Sequence, residues 1–185
     1  MKLWTSNFSA IIGAVVALAV AAPALAQTVD NPTVLNAPGV NAWSVYGAGQ
    51  VNKLYKDPAV QGGGAMRITI AQPTENAWDI GMSTPVDKAF KKGETIMLAV
   101  WAKAESDDAD TLVEIPAAIQ INTSPYTGII QGRITLTTQW QLLHIEGVSN
   151  DDYAAGKTNV ALSLGGSAKK IDIGPAFVLD EGILP

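Results

Sequence analysis

The sequence predicts an all-β chain folded as an antiparallel sandwich or jelly roll. Short apolar–polar alternations recur between clusters of Gly, Asn, Asp and Pro. No stretch longer than about eight residues keeps a helical period. Most alternating segments also carry one plainly apolar face, as strands that share a core must. There is no internal repeat and no low-complexity linker, so the chain from Gln27 onward, 27–185, reads as a single β-sandwich domain.

The first element is an export signal. Lys2 supplies a positive start, residues 11–22 are apolar and rich in alanine, and Pro23 breaks the run ahead of Ala24-Leu25-Ala26. Small residues at positions 24 and 26 suit a signal peptidase, which places the signal peptide at 1–26. The apolar run falls short of the roughly 20 residues that span a bilayer. The processed protein is therefore expected in the periplasm or outside the cell, with no membrane span.

Residues 27–39 form an extended lead-in, and strands are expected near 43–47, 65–71, 77–82, 95–104, 112–122, 129–136, 140–147, 158–164 and 171–179. Successive side chains of a strand face opposite ways. In 65–70, Met66, Ile68 and Ile70 oppose Ala65, Arg67 and Thr69. Trp78, Ile80 and Met82 share a face that reads as core, against Asp79 and Gly81. In 95–104, Ile96, Leu98, Val100 and Ala102 oppose Met97, Ala99, Trp101 and Lys103. In 115–122, Ile115, Ala117, Ile119 and Ile121 oppose Pro116, Ala118, Gln120 and Asn122. Trp140, at the head of its strand, is expected to seal one end of the core.

Composition excludes several functions. Cysteine is absent, so the fold holds by packing even in a compartment that permits disulfides, and thiolate zinc sites cannot form. With 12 basic against 17 acidic side chains the chain lacks the cationic surface that nucleic acid requires. The one histidine, His144, lies in a strand without a nucleophile nearby in sequence. Glu105, Asp107, Asp108 and Asp110 read as one solvated connection, and Asp79, Glu114 and Glu146 show no spacing that sets a carboxylate pair. No catalytic centre is expected.

Binding is better supported. Arg67, Trp101, Lys103, Gln120 and Asn122 all fall on second strand faces. Should those faces belong to one sheet, they line a shallow groove. An aromatic ring stacks on the apolar face of a sugar while planar amides and guanidinium pair with its hydroxyls. Tyr55, and Tyr126 after Pro125, are further candidates among the loop-borne aromatics Trp43, Tyr46, Tyr55, Tyr126 and Tyr153, and Asp79 is a candidate partner for a ring hydroxyl. Hard oxygen ligands favour calcium over zinc. Asp30 and Asp172 are the candidate ligands, since domain termini often meet.

Five motifs in order carry a resemblance: Gly64-Ala65-Met66-Arg67-Ile68; Trp78-Asp79-Ile80-Gly81-Met82; Lys92-Gly93-Glu94 leading into Val100-Trp101-Ala102-Lys103-Ala104; Leu136-Thr137-Thr138-Gln139-Trp140-Gln141; and Ile171-Asp172-Ile173-Gly174-Pro175-Ala176-Phe177. Together they cover most of residues 39–180 and resemble the carbohydrate-binding modules of family 4/9, the CenC-like group of cellulases and xylanases. The resemblance implies a galactose-binding-like jelly roll that binds a polysaccharide or oligosaccharide of the β-glucan or xylan type without catalysis. It implies a structural calcium near the termini, with Asp172 at the acidic position of the last strand. It also implies that Arg67, Trp101 and Gln120 look toward the groove. The opening segment Val34-Leu35-Asn36-Ala37-Pro38-Gly39 departs from the family by carrying no acid. Such modules are usually attached to a glycoside hydrolase, so a separate glycoside hydrolase is an expected partner. A structural or adhesive envelope protein using the same sandwich without a sugar site is the alternative.

Overall fold

The computed structural model describes residues 31–183. The signal peptide expected at 1–26 and the candidate ligand Asp30 lie outside the described residues. The strands, in chain order, are β1 (Thr33–Val34), β2 (Ser44–Tyr46), β3 (Gln50–Lys56), β4 (Gly64–Ile70), β5 (Gly81–Val86), β6 (Thr95–Ala104), β7 (Val113–Ile121), β8 (Gly128–Leu136), β9 (Gln141–Val148), β10 (Thr158–Ser163) and β11 (Lys169–Asp180). Two 3-10 turns, Val40–Ala42 and Ala77–Asp79, complete the ordered elements, with no α-helix among the described residues.

These strands form two antiparallel sheets packed face to face, the all-β sandwich that alternation predicts. The first runs β3-β4-β11-β6-β9, with β1 also paired to β11; the second runs β2-β5-β10-β7-β8. Strand faces assigned from alternation bury as expected. Ile68 and Ile70 of β4, Ile96, Leu98, Val100 and Ala102 of β6, and Ile115 and Ile119 of β7 have almost no exposure. From the second sheet Val160 and Leu162 meet them, and from the first Ile171 and Ile173 complete the layer.

Three local devices tie the ends down. Asn36 is buried, donates from Nδ2 to the Ala176 carbonyl (2.9 Å) and accepts at Oδ1 from the Val178 N–H (2.8 Å). It thus pins the lead-in against β11 beside the irregularity between Ile173 and Ala176. Trp43 is a core residue rather than a loop aromatic: it is buried, and its Nε1 donates to the Gly174 carbonyl (2.9 Å) at that same irregularity. Phe90 is fully buried against Tyr153, ring centroids 5.1 Å apart.

Two elements differ from expectation. β3 is a strand although 50–56 shows no apolar face, because it is an edge strand exposed over most of its length and held by its pairing with β4. The segment 77–82 is split. Asp79 accepts the Asn76 N–H (2.9 Å) in a capping box that closes a 3-10 turn, so the strand starts only at Gly81. That turn takes Trp78 out of register with Ile80 and Met82, and Trp78 is exposed instead of core.

Trp43→Ala removes a buried ring and orphans the Gly174 carbonyl. It should lower the unfolding free energy by about 3–5 kcal/mol, read as a shifted urea midpoint; an unshifted midpoint would mean that Trp43 is not part of the core.

Candidate functional site

The outer face of the first sheet is organised around one carboxylate. Asp172 of β11 is fully buried and faces Arg67 of β4 and Lys103 of β6 in register. Arg67 donates from Nε to Oδ1 and from Nη2 to Oδ2, both at 2.8 Å, and the Tyr55 hydroxyl donates to Oδ2 at 2.6 Å. Lys103 Nζ lies 3.5 Å from Oδ2 and 2.6 Å from Glu105 Oε1, which also takes Arg67 Nη2 at 2.8 Å. Burial works to raise the Asp172 carboxyl, but the hydrogen bonds from Arg67 and Tyr55 outweigh it and hold the group below the usual carboxylate range. Burial and the bond to Asp172 push the Tyr55 phenol well up.

The tryptophans of this face hold a loop. Trp101 is half-buried, with Nε1 donating to Gln61 Oε1 (3.3 Å), and Trp140 donates from Nε1 to Asp57 Oδ2 (2.9 Å) while its ring lies over Lys103. Both therefore clip the segment between β3 and β4 onto the sheet, with Val60 buried at its centre. Trp140 lies on an outer sheet face and does not seal an end of the core.

This arrangement separates residues that sequence had grouped. Arg67, Trp101 and Lys103 lie on the first sheet, whereas Gln120, Asn122 and Tyr126 belong to β7 and its following loop on the second. The two sets are on opposite sides of the molecule and cannot share a groove. The carboxylate of Asp79 faces back to cap its own turn. The calcium expected at Asp172 does not fit either. Both carboxylate oxygens already accept from Arg67, one also accepts from Tyr55, and a second cation stands beside them, so a calcium ion there would face two fixed positive charges. Among the described residues, no three His, Asp or Glu side chains group to hold a metal.

The outer face of the second sheet is built differently. Its central row, in register across five strands, is Ser44, Ser83, Ala161, Ala118 and Gln131. The neighbouring rows bring Gly81 beside Ser163, and Pro85 beside Asn159 and Gln120. Small side chains here leave a groove of about 1040 Å3 above the sheet. Trp78 (66% exposed), Tyr126 (56%) and Tyr46 (41%) line it. Burial raises the Tyr46 phenol, and the nearby Tyr126 adds to the shift.

Polar groups converge on the same space. Gln120, Gln131, Asn122 and Asn159 all line it. Asn122 is oriented by donating from Nδ2 to the Gly156 carbonyl (2.8 Å), which leaves its own oxygen available. Asn159 Oδ1 is buried and accepts no hydrogen bond among the described residues. Arg133, also in the lining, is neutralised by Glu114 (Nε to Oε1, 2.6 Å). Tyr126 holds a left-handed backbone (φ 57°), unusual for a residue with a side chain, and carries its ring at the loop tip. Sequence reasoning found Gln120, Asn122 and Tyr126 of this set. It missed Tyr46, Trp78, Gln131, Arg133 and Asn159. The available signal was the run of Gly81, Ser83 and Pro85 alternating with large residues in β5, since small outward residues on a strand leave room for something else.

The sequence profile of a carbohydrate binding domain family, covering carbohydrate-binding module types 4 and 9, matches residues 27–159. No curated protein matches the chain by sequence. A solved family 4 carbohydrate-binding module is 26% identical, with a TM-score of 0.55 over 75% of this chain and 86% of that one. The second N-terminal cellulose-binding domain of Cellulomonas fimi β-1,4-glucanase C superposes with a TM-score of 0.59 at 20% identity, over 82% of this chain and 96% of that one. The CBM22-1–GH10 portion of Clostridium thermocellum endo-1,4-β-D-xylanase 10B, complexed with xylohexaose, gives 0.56 at 10% identity over 84% of this chain but 30% of that one. The last two likenesses are of fold.

Because the folded-state pKa of Asp172 is depressed, its stabilisation is present above the unfolded carboxyl value near 4 and is lost as pH falls through the lower folded value. Stability should therefore drop steeply below about pH 4. Asp172→Asn should cost about 3 kcal/mol at neutral pH, the lower end for a buried pair because Arg67 keeps some water access, and should flatten that acid limb. An unchanged acid limb in the variant would remove Asp172 as its source.

Proposed function

The chain belongs to the carbohydrate-binding module 4/9 family, and from that premise we propose that the groove of its second sheet holds a neutral polysaccharide or oligosaccharide of the β-glucan or xylan type. Members of the family are binding modules, and binding alone is the activity of this chain. The observation that carries the proposal is the convergence of three exposed aromatic rings and four amide side chains on one open groove.

Each part of the groove has a role in this reading. Trp78, Tyr46 and Tyr126 stack against the apolar faces of sugar rings, where an aromatic contributes area at low entropy cost. Gln120, Gln131, Asn122 and Asn159, which all line the groove, pair with ring hydroxyls. The lining contains no Asp or Glu, and its one strong cation is already paired with Glu114, so the groove favours an uncharged chain. A volume near the upper end of ordinary ligand sites, about 1,000 Å3, suits several sugar rings rather than one. Cellulose binding in the Cellulomonas domain's name and xylohexaose in the Clostridium complex support a β-1,4-linked ligand.

Two further parts of the reading concern where and with what the protein acts. The signal-like sequence at 1–26 supports a location outside the cytoplasm, in the periplasm or beyond. A separate glycoside hydrolase is the proposed partner, by analogy with the xylanase in which such a module and a catalytic module share one chain.

Affinity electrophoresis of residues 27–185 through xylan and mixed-linkage β-glucan should retard the protein. Trp78→Ala and Tyr126→Ala should each weaken retention by about threefold to tenfold, as loss of a stacked ring implies, while Trp101→Ala leaves it unchanged. Unretarded migration in both gels, or retention lost in Trp101→Ala alone, would overturn the reading. Mass spectrometry of the exported protein should find Gln27 as its first residue, and an intact leader would refute processing at Ala26.

A further inference from the structure

Gly81 opens β5 and pairs regularly on both sides, with Tyr46 of β2 and Ser163 of β10. Its backbone does not lie in the left-handed region, unlike that of Gly47 (φ +95°), so conformation does not demand a glycine. Space does. A Cβ at Gly81 would fall 2.6 Å from Cζ of Tyr46, closer still to its hydroxyl, and 2.8 Å from the Leu162 carbonyl oxygen. Real Cβ atoms do not make such contacts. The Tyr46 phenol therefore lies down across the neighbouring strand, with its tip over the Gly81 backbone. A tyrosine standing away from the sheet would leave that position free.

We propose that Gly81 is the positioning residue that lays Tyr46 flat on the groove floor and so turns an edge-strand tyrosine into a stacking platform for a sugar ring. The proposal rests on the sugar-binding reading and adds to it the residue that sets the platform's height. A strand glycine marks a close approach of another group, and here that group is a side chain of the site. The same device recurs at the opposite edge of the sheet, where Gln131 folds over Gly128 with its Cγ 2.7 Å from where a Cβ would stand. The raised Tyr46 phenol agrees with a ring that has one side sealed against the floor.

The test is a double-mutant cycle with Gly81→Ala, Tyr46→Ala and the pair, using soluble xylan and mixed-linkage β-glucan as probes. Each single variant should weaken binding by up to about tenfold, and the pair should bind no more weakly than Tyr46→Ala. A further loss in the pair as large as that of Gly81→Ala alone would overturn the proposal, because Gly81 would then act otherwise than through Tyr46. A second readout needs no ligand. Absorbance titration should show one late-titrating tyrosine moving toward its ordinary value in Gly81→Ala, the same one that Tyr46→Ala removes, and an unmoved titration would also refute positioning. If Gly81→Ala alone fails to fold, the pair should fold, since the ring no longer occupies the space. Failure of the pair as well would make the Leu162 carbonyl the obstacle and sink the idea. If the wild type binds neither polymer, the sugar reading itself fails, and the titration still decides whether Gly81 holds Tyr46 down.

Discussion

A carboxylate removed from water must find partners within the protein, and Asp172 is fully buried. Its requirement organises an entire face. Arg67, Tyr55 and Lys103 turn toward it from three other strands, and Glu105 balances the cations that it draws in. Trp140 then covers Lys103 and, with Trp101, fastens the loop that follows β3. The side chains of this cluster, Tyr55, Arg67, Lys103, Glu105 and Asp172, are satisfied by one another, and Trp101 and Trp140 by the loop. A ligand would have to break an ion pair, or lift a loop, before gaining any contact with them.

The second sheet follows the opposite rule. The inward residues of β5 and β10, such as Met82, Val160 and Leu162, are large and fully buried, while their outward partners are Gly81, Ser83, Ala161 and Ser163. The groove exists because side chains are missing from its floor. Aromatic and amide groups reach it from the edges: Tyr46 from β2, Gln131 from β8, Trp78 from the capped turn before β5, and Tyr126 from the loop after β7. Here polar atoms are left over rather than used up, as Asn159 Oδ1 shows.

That contrast explains what could be read from the sequence. Strand faces such as those of β4, β6 and β7 were legible because alternation reports burial directly, and the all-β sandwich followed from them. Which sheet each strand joins was not, because register and neighbour order are long-range facts that no local pattern records. Arg67 and Gln120 each sit opposite an apolar face in their own strands, yet β4 and β7 belong to different sheets. Trp101 beside Lys103 had the composition of a binding face because an internal ion-pair network and a ligand site use the same residue types. Trp78 was misread because a capping box between Asn76 and Asp79 interrupts the alternation by a single turn. Trp43 was misread because a short 3-10 turn before it hides its approach to the core.

The division between the sheets also bears on how tightly the groove can bind. Its floor lies on β5, β10 and β7, whose inward faces are locked into the core, so the amides of Gln120 and Asn159 stand on rigid supports. Asn122 is fixed by Gly156 and Tyr46 by contact with Gly81, so much of the ordering that binding would otherwise demand is already present in the free protein. With no cysteine and no fit for calcium at Asp172, that rigidity comes from packing and from the Asp172 network on the far sheet. The two faces are thereby linked through the shared core: the buried charge satisfied on one sheet helps to hold the layer on which the other carries its groove.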